Sequence, residues 1–295
     1  MELGICDYYY DPDGLLTPAE RYRLFGEAGF SCIDFNTAPV SVPLYTEPEA
    51  EMERLIAGMR REIEDAGLSV HQVHGPWTWP PTKDQFPELR PQRAEEMKRS
   101  MRMAKHLGCR NWVVHPIMPF GVKDIPEGNA EATWELNTEF MGWLLDYAKQ
   151  IDVTICLENM PHRNFSMAKP EKVLEFARLM DDPHFAVCLD FGHVATQEGL
   201  QVADQIRLLG DKLQAVHIHD NNGLKDQHAW PGQGVVDWEE AAKALKEINY
   251  QGVFSLETAP FRDPEGDQVE AIPAKEFLEK AKKLAATARS ICDIM

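Results

Sequence analysis

Close cysteine pairs, an excess of basic residues and long apolar runs are all missing from this chain, and each absence removes a class of protein. Its six cysteines, at positions 6, 32, 109, 156, 188 and 292, include no CxxC pair. Cys156 and Cys188 lie inside apolar strand-like runs, where a free thiol behaves as a small buried hydrophobe, so a disulfide framework is not expected. No run of about 18 apolar residues occurs, and the opening MELGICDYYYD carries neither a basic region nor an apolar signal core. No membrane association is expected, and the chain reads as cytoplasmic. Basic residues are outnumbered, 30 Lys and Arg against 48 Asp and Glu, for a net charge of −18. That field favours solubility and disfavours polyanionic partners, so nucleic acid is not an expected partner. A GxGxxG loop after the first strand-like run is also absent, which weakens an open dinucleotide-binding sheet.

What is present is a regular alternation. A hydrophobic share of 44% in 295 residues suffices for a sizeable core. Strand-like runs fall at about 2–7, 31–35, 69–75, 110–116, 154–160, 185–191, 213–220 and 252–258. Amphipathic helical runs lie between and after them, at about 17–28, 48–66, 89–107, 130–151, 170–180, 200–209, 238–248 and 269–291. Thr17-Pro18 is a helix start, and Gly29, Gly67, Gly108 and Gly210, each between a helix and a strand, suit left-handed C-caps. Eight βα units without a linker or composition shift predict an α/β protein: a (β/α)8 TIM barrel, one domain over residues 1–295. The longest irregular stretches, 37–47, 76–88 and 221–236, all follow strands, on the face where such barrels build active sites.

Residues of metal-ligand type stand where those strands end: His74, His115, Glu158, Asp190, His193, His217, Asp226, His228 and Glu257. A lone histidine after an apolar run is more often a core residue hydrogen-bonded to a carbonyl. Repetition on strand after strand is different, because a barrel brings strand ends onto one axis. Glu158, Asp190, His217 and Glu257 end four successive strands and could close on one ion. Mixed carboxylate and imidazole donors suit Zn²⁺, Mn²⁺, Co²⁺ or Fe²⁺ better than Ca²⁺. The expected cofactor is a divalent metal: Zn²⁺, Mn²⁺ or Co²⁺ first, with Mg²⁺ and Fe²⁺ as further candidates.

The segments LEN (157–159), LDFGH (189–193), VHIHD (216–220), DQHAWPGQG (226–234) and SLET (255–258), in that order on those strands, resemble the xylose-isomerase-like TIM barrels. That superfamily holds sugar phosphate isomerases and epimerases, inosose dehydratases and abasic-site endonucleases of the endonuclease IV type. The resemblance implies that Glu158, Asp190, His217 and Glu257 hold a shared metal. His217 is preferred to His219 because the family's ligand stands three residues before the acidic residue, here Asp220. It also implies that Glu158 and Glu257 serve as catalytic acid and base, and that His193 hydrogen-bonds a substrate oxygen. A metal bridging a carbonyl and its neighbouring hydroxyl would stabilise an enediolate while the carboxylates move the proton. The expected reaction is isomerisation or epimerisation of a sugar, cyclitol or sugar phosphate; an inosose or keto-sugar dehydratase or lyase would use the same chemistry.

The endonuclease branch is the competing reading. Its three zinc ions are held by nine side chains, each with a same-type counterpart here. His74, His115, His193, Asp226 and His228 are therefore candidate additional metal ligands or substrate contacts. Against it stand Asn221-Asn222-Gly223 in place of that family's Lys-bearing segment, the apolar loop Pro76-Trp77-Thr78-Trp79-Pro80-Pro81, and the acidic charge. The chain also departs from the ketose epimerases, since Gly223 stands where their Arg is expected. A third reading, a catalytically silent barrel that binds a sugar or a partner protein, is disfavoured by the Glu158 and Glu257 pair. Trp77, Trp79 and Trp230 are candidates for stacking on a sugar ring, and Tyr8-Tyr9-Tyr10 for lining the pocket. His71 and His219 read as satisfied barrel histidines, His106 as a helix C-terminal residue, and His162 and His184 as loop residues. Oligomerisation, as a homo-oligomer, is left open.

Overall fold

The structure, a computed structural model, describes residues 1–7, 15–37, 43–76, 83–260 and 272–295. Tyr8 to Tyr10, Trp77 and Trp79 lie outside the described residues, as does the expected start of the last helix at Val269. In chain order the elements are β1 (Leu3–Cys6), α1 (Pro18–Ala28), β2 (Cys32–Asn36), α2 (Pro43–Thr46), α3 (Glu49–Asp65), β3 (Ser69–His74), α4 (Phe86–His106), β4 (Asn111–Val114), α5 (Ala130–Ile151), β5 (Thr154–Glu158), α6 (Pro170–Met180), β6 (Phe185–Asp190), α7 (Phe191–Thr196), α8 (Val202–Leu209), β7 (Leu213–His217), α9 (Trp238–Glu247), β8 (Phe254–Leu256) and α10 (Ala274–Cys292). The strands form one eight-stranded sheet with neighbours in sequence order and β1 beside β8, all paired in parallel. Between β7 and β8 the ring is spanned by an Ile218–Leu256 bridge, with Ile218 N donating to Ser255 O at 2.8 Å and Glu257 N to Ile218 O at 3.0 Å. This is the (β/α)8 barrel that the alternation predicts. Among the described residues no helix is long and apolar enough to cross a membrane.

Strand periodicity sorts the side chains. One set packs outward against the helices in a large core that includes Ile5, Ile33, Trp112, Leu157, Phe185 and Leu189. The alternate set, Val113, Cys156, Ala186, Cys188 and Ala215, forms a separate apolar cluster of mostly small residues inside the ring. Two residues further along the same strands stand Glu158, Asp190 and His217. The interior plug thus ends where the polar groups begin. All six cysteines are free and buried.

Helix termini follow local chemistry. Thr17 caps α1 in a capping box with Glu20, and Pro18 opens the first turn. Gly29 takes the left-handed C-cap, whereas Gly210, with φ 52° and ψ −124°, lies outside that region and opens a 3₁₀ turn. Two left-handed caps fall on non-glycine residues, Asp152 (φ 60°) and Asp181 (φ 46°), which a search for Gly passes over. Helices α2 and α7 are additions to the expected set. α7 exists because Asp190 acts as its N-cap: Asp190 Oδ1 accepts the His193 N–H at 2.5 Å, ending β6 and turning the chain at once into a helix.

Candidate metal centre

Register and caps deliver the strand-end residues to one place. Asp190 pairs across β6 and β7 with His217, and Glu158 pairs with Cys188, so carboxylates and imidazole share one rim of the ring. His217 Nδ1 lies 3.0 Å from Glu158 Oε1, 3.3 Å from Glu257 Oε2 and 3.9 Å from Asp190 Oδ2. The donor atoms of these four residues all fall within 4.8 Å of one another. His217 and Asp190 are fully buried and Glu158 nearly so.

A second set surrounds the first. Glu158 Oε2 is 3.4 Å from His74 Nε2 and 3.3 Å from His115 Nε2. The Asp226 carboxylate meets His193 Nε2 at 3.2 Å, His228 Nε2 at 3.4 Å and His219 Nε2 at 3.6 Å. His219 also reaches Asp190 Oδ2 at 3.0 Å and stacks on His228 with ring centroids 4.1 Å apart. The other ring nitrogens are anchored: His193 Nδ1 to Asn159 O at 2.7 Å, His228 Nδ1 to Glu257 O and His74 Nδ1 to Gly75 O, both at 2.8 Å. With Nδ1 on a carbonyl in each case, Nε2 of all three turns to a carboxylate.

The loop that brings Asp226 and His228 inward is organised by Asp220. Its carboxylate accepts from the backbone N–H of Asn221, Gly232 and Val236 and from Trp238 Nε1. His228 itself sits at φ 49°, a strained conformation for a non-glycine residue and one concentrated at functional sites. Trp230 donates its indole N–H to Ala259 O at 2.9 Å, tying the loop to the end of β8.

Several contributors were not singled out from the sequence. Asn159 clamps β5 to β6, accepting from Asp190 N at 2.7 Å and donating to Asp190 O at 3.1 Å. Asp34 approaches His217 Nε2 at 3.1 Å and accepts from Gln72 Nε2 at 2.9 Å. His219, read with His71 as a satisfied barrel histidine, has both ring nitrogens partnered, Nδ1 with Asp220 O at 3.4 Å and Nε2 with Asp190 Oδ2 at 3.0 Å, and it also faces Asp226. His71 Nε2 accepts the Val253 N–H at 3.4 Å. A buried polar residue in the middle of an apolar strand was the available signal for Asp34 and Gln72.

The electrostatics identify what the cluster lacks. Among the described residues no Lys or Arg stands in ion-pair contact with Asp34, Glu158, Asp190, Asp226 or Glu257; their ion-pair partners are histidines. Burial opposes the charge on Glu158, yet His217 and His115 hold its carboxyl well below the usual range. Asp190, also opposed by burial, is held at about 2 by His193 and His219. Burial raises Glu257, its histidine neighbours only partly countering it. Burial would neutralise His228, but Glu257 and Asp226 lift it to about 9. His217 and His193 are raised well above the ordinary imidazole value against the same burial penalty, by Cys188, Glu257 and Glu158 for the first and by Asp190 and Asp226 for the second. Imidazoles, rather than Lys or Arg, thus face the buried carboxylates, and a bound cation would compete with imidazole protons for them. Among the described residues, Glu158 Oε2 and Glu257 Oε2 are buried without a hydrogen-bond partner. Orphaned carboxylate oxygens around an imidazole nitrogen fit a divalent cation.

The chain matches the xylose isomerase-like TIM barrel family over residues 23–281, and it belongs to that family. Among curated relatives, an uncharacterised protein of Methanocaldococcus jannaschii is 32% identical over 146 residues, which is 49% of this chain and 47% of that protein. The inosose isomerase of Bacillus subtilis is 29% identical over 198 residues, covering 64% of this chain and 66% of the enzyme. The D-psicose 3-epimerase of Enterocloster bolteae is 31% identical over 111 residues, covering 37% of this chain and 35% of the enzyme. The chain therefore spans about half or less of the length of two of these relatives. Solved structures share the fold across its whole extent. A D-psicose 3-epimerase crystallised in the presence of D-fructose superposes with a TM-score of 0.77 at 18% identity, over 99% of both chains. The IolI protein with a bound zinc atom gives 0.70 at 19% identity, over 98% of both.

Proposed function

We propose that this member of the xylose isomerase-like TIM barrel family is a divalent-metal-dependent isomerase or epimerase acting on a sugar or cyclitol, free or phosphorylated. The observation that carries the reading is the convergence of Glu158, Asp190, Glu257 and His217 Nδ1, with two buried carboxylate oxygens left without partners. Relatives named as inosose isomerase and D-psicose 3-epimerase supply the substrate class, and the zinc in the IolI structure supports the metal.

Glu158, Asp190, His217 and Glu257 would hold the ion. When bound, it supplies Lewis-acid polarisation of a substrate carbonyl and the hydroxyl beside it. Glu158 and Glu257 come from β5 and from the end of β8, separate parts of the wall, and their carboxyls are shifted in opposite directions, one down and one up. Paired carboxyls whose environments separate them suit removal of a proton by one and its return by the other. His193, pinned through Nδ1, presents Nε2 beside Asp226 as a hydrogen-bonding group for a substrate hydroxyl.

The test is incubation with ketoses and inososes in D₂O. Metal-dependent loss of a C–H proton signal next to the carbonyl is expected; loss that survives chelation, or no exchange on any such substrate, counts against the reading. The phosphodiesterase alternative draws on the outer cluster of His193, His219, Asp226 and His228, which could hold further ions. Three ions per chain with nicking at an abasic site in low salt, where electrostatic binding is strongest, would favour it over the isomerase.

A further inference from the structure

Asp34 is a buried carboxylate that the proposed reaction does not use. It sits in the middle of β2, 2% exposed, in register with Gln72 of β3. No Lys or Arg contacts it among the described residues, and its Oδ1 has no hydrogen-bond partner. Burying a carboxylate is costly and has to be offset by its partners. Two groups meet its other oxygen: Gln72 Nε2 donates to Oδ2 at 2.9 Å, and His217 Nε2 lies 3.1 Å away without, in this geometry, a hydrogen bond to it. Gln72 Nε2 also reaches Val216 O at 3.3 Å, fastening the Asp34 side chain to the strand that carries His217.

A neutral imidazole carries one proton, and the nitrogen that binds a metal must be bare. His217 turns Nδ1 to Glu158, Asp190 and Glu257, and turns Nε2 to Asp34. We infer that Asp34 is a positioning residue that holds His217 as its Nε2–H tautomer, leaving Nδ1 free for the ion, with Gln72 fixing Asp34 in place. The inference rests on the metal-site reading above and adds the group that orients the only imidazole among its four ligands. Carboxylates behind metal-bound histidines fix tautomer and ring orientation, and their loss lowers metal affinity about 10- to 100-fold.

The experiment uses the full chain with ¹⁵N-labelled histidine, loaded with Zn²⁺ alone, and long-range ¹H–¹⁵N spectra in which His217 is assigned by comparison with His217→Gln. Protonated Nε2 and metal-bound Nδ1 are expected, and the reverse assignment overturns the inference. Asp34→Asn keeps the shape and removes the charge. Its Zn²⁺ dissociation constant should rise about 10- to 100-fold with near-UV circular dichroism unchanged, and Gln72→Leu should give a smaller rise in the same direction. Should Asp34→Asn fail to fold, the tautomer of the unmutated protein decides. Zn²⁺ held equally tightly by wild type and Asp34→Asn overturns the role of Asp34 alone. No Zn²⁺ binding by wild type overturns it together with the proposed function.

Discussion

Glu257→Gln separates the two duties assigned to that side chain. Its Oε2 lies 3.3 Å from His217 Nδ1 with no hydrogen-bond partner among the described residues, so the amide forfeits a charged ligand and the proton exchange together. The fold should survive. Glu257 is joined to its neighbours through the backbone, its N–H donating to Ile218 O at 3.0 Å and its carbonyl accepting from His228 Nδ1 at 2.8 Å, and Gln preserves both. General acid/base catalysis contributes about 10² to 10⁴ in rate, or about 3 to 5 kcal/mol at 1.36 kcal/mol per decade. Rates should be taken on the best ketose or inosose substrate across a metal titration, so that weakened metal binding is overcome and only the loss in kcat at saturating metal remains. A fall of about 10² or more, with C–H exchange in D₂O lost in parallel, is expected. A kcat within a few-fold of the parent at saturating metal would refute the acid/base role.

Two further predictions concern stability. Burial raises the Asp7 carboxyl to about 7, although Asn36 N–H and Arg21 act to lower it, while an unfolded Asp titrates near 3.8. Its contribution to stability is full below the unfolded value and drains away as pH rises through about 7. Asp7→Asn, which keeps an acceptor for Asn36 N–H, should therefore gain stability over the parent at about pH 8 relative to about pH 5; a melting difference independent of pH would contradict this. In Gly192→Ala the added Cβ would lie 1.9 Å from His219 Cε1, and that ring is already stacked on His228 and 3.0 Å from Asp190. Overpacking of this kind costs about 1–3 kcal/mol, read as a lower denaturation midpoint; an unchanged midpoint would mean the ring has room to retreat.

The strand-end residues were legible because two periodicities coincide there: alternation puts Glu158, Asp190 and His217 on the inner face, and a parallel barrel gathers strand ends at one rim. Groups that act across strands were harder to see. Asp34 and Gln72 lie on β2 and β3, far in sequence from His217, and only the register of the closed ring brings them beneath it. His219 and His217 look alike in VHIHD; His217 is the last residue of β7 paired with β6, and His219, two residues on, reaches Asp190 and Asp226 instead. Asp190 looked like a strand residue with a ligand side chain, and its second role as the cap that starts α7 emerges only from the turn it makes. Trp230, a candidate for sugar stacking, has its indole N–H anchored on Ala259 O, a bond across the strand ends that the sequence alone does not reveal.

The central claim is that Glu158, Asp190, His217 and Glu257 together hold a divalent ion. The most direct test is elemental analysis of the full chain, saturated with Zn²⁺ and then desalted, beside an Asp190→Ala variant treated identically. About one tightly held ion per chain is predicted for the parent, as a single-ion Lewis-acid site requires, with that ion lost from the variant. A parent that emerges without metal, or a variant that retains as much as the parent, would contradict the account.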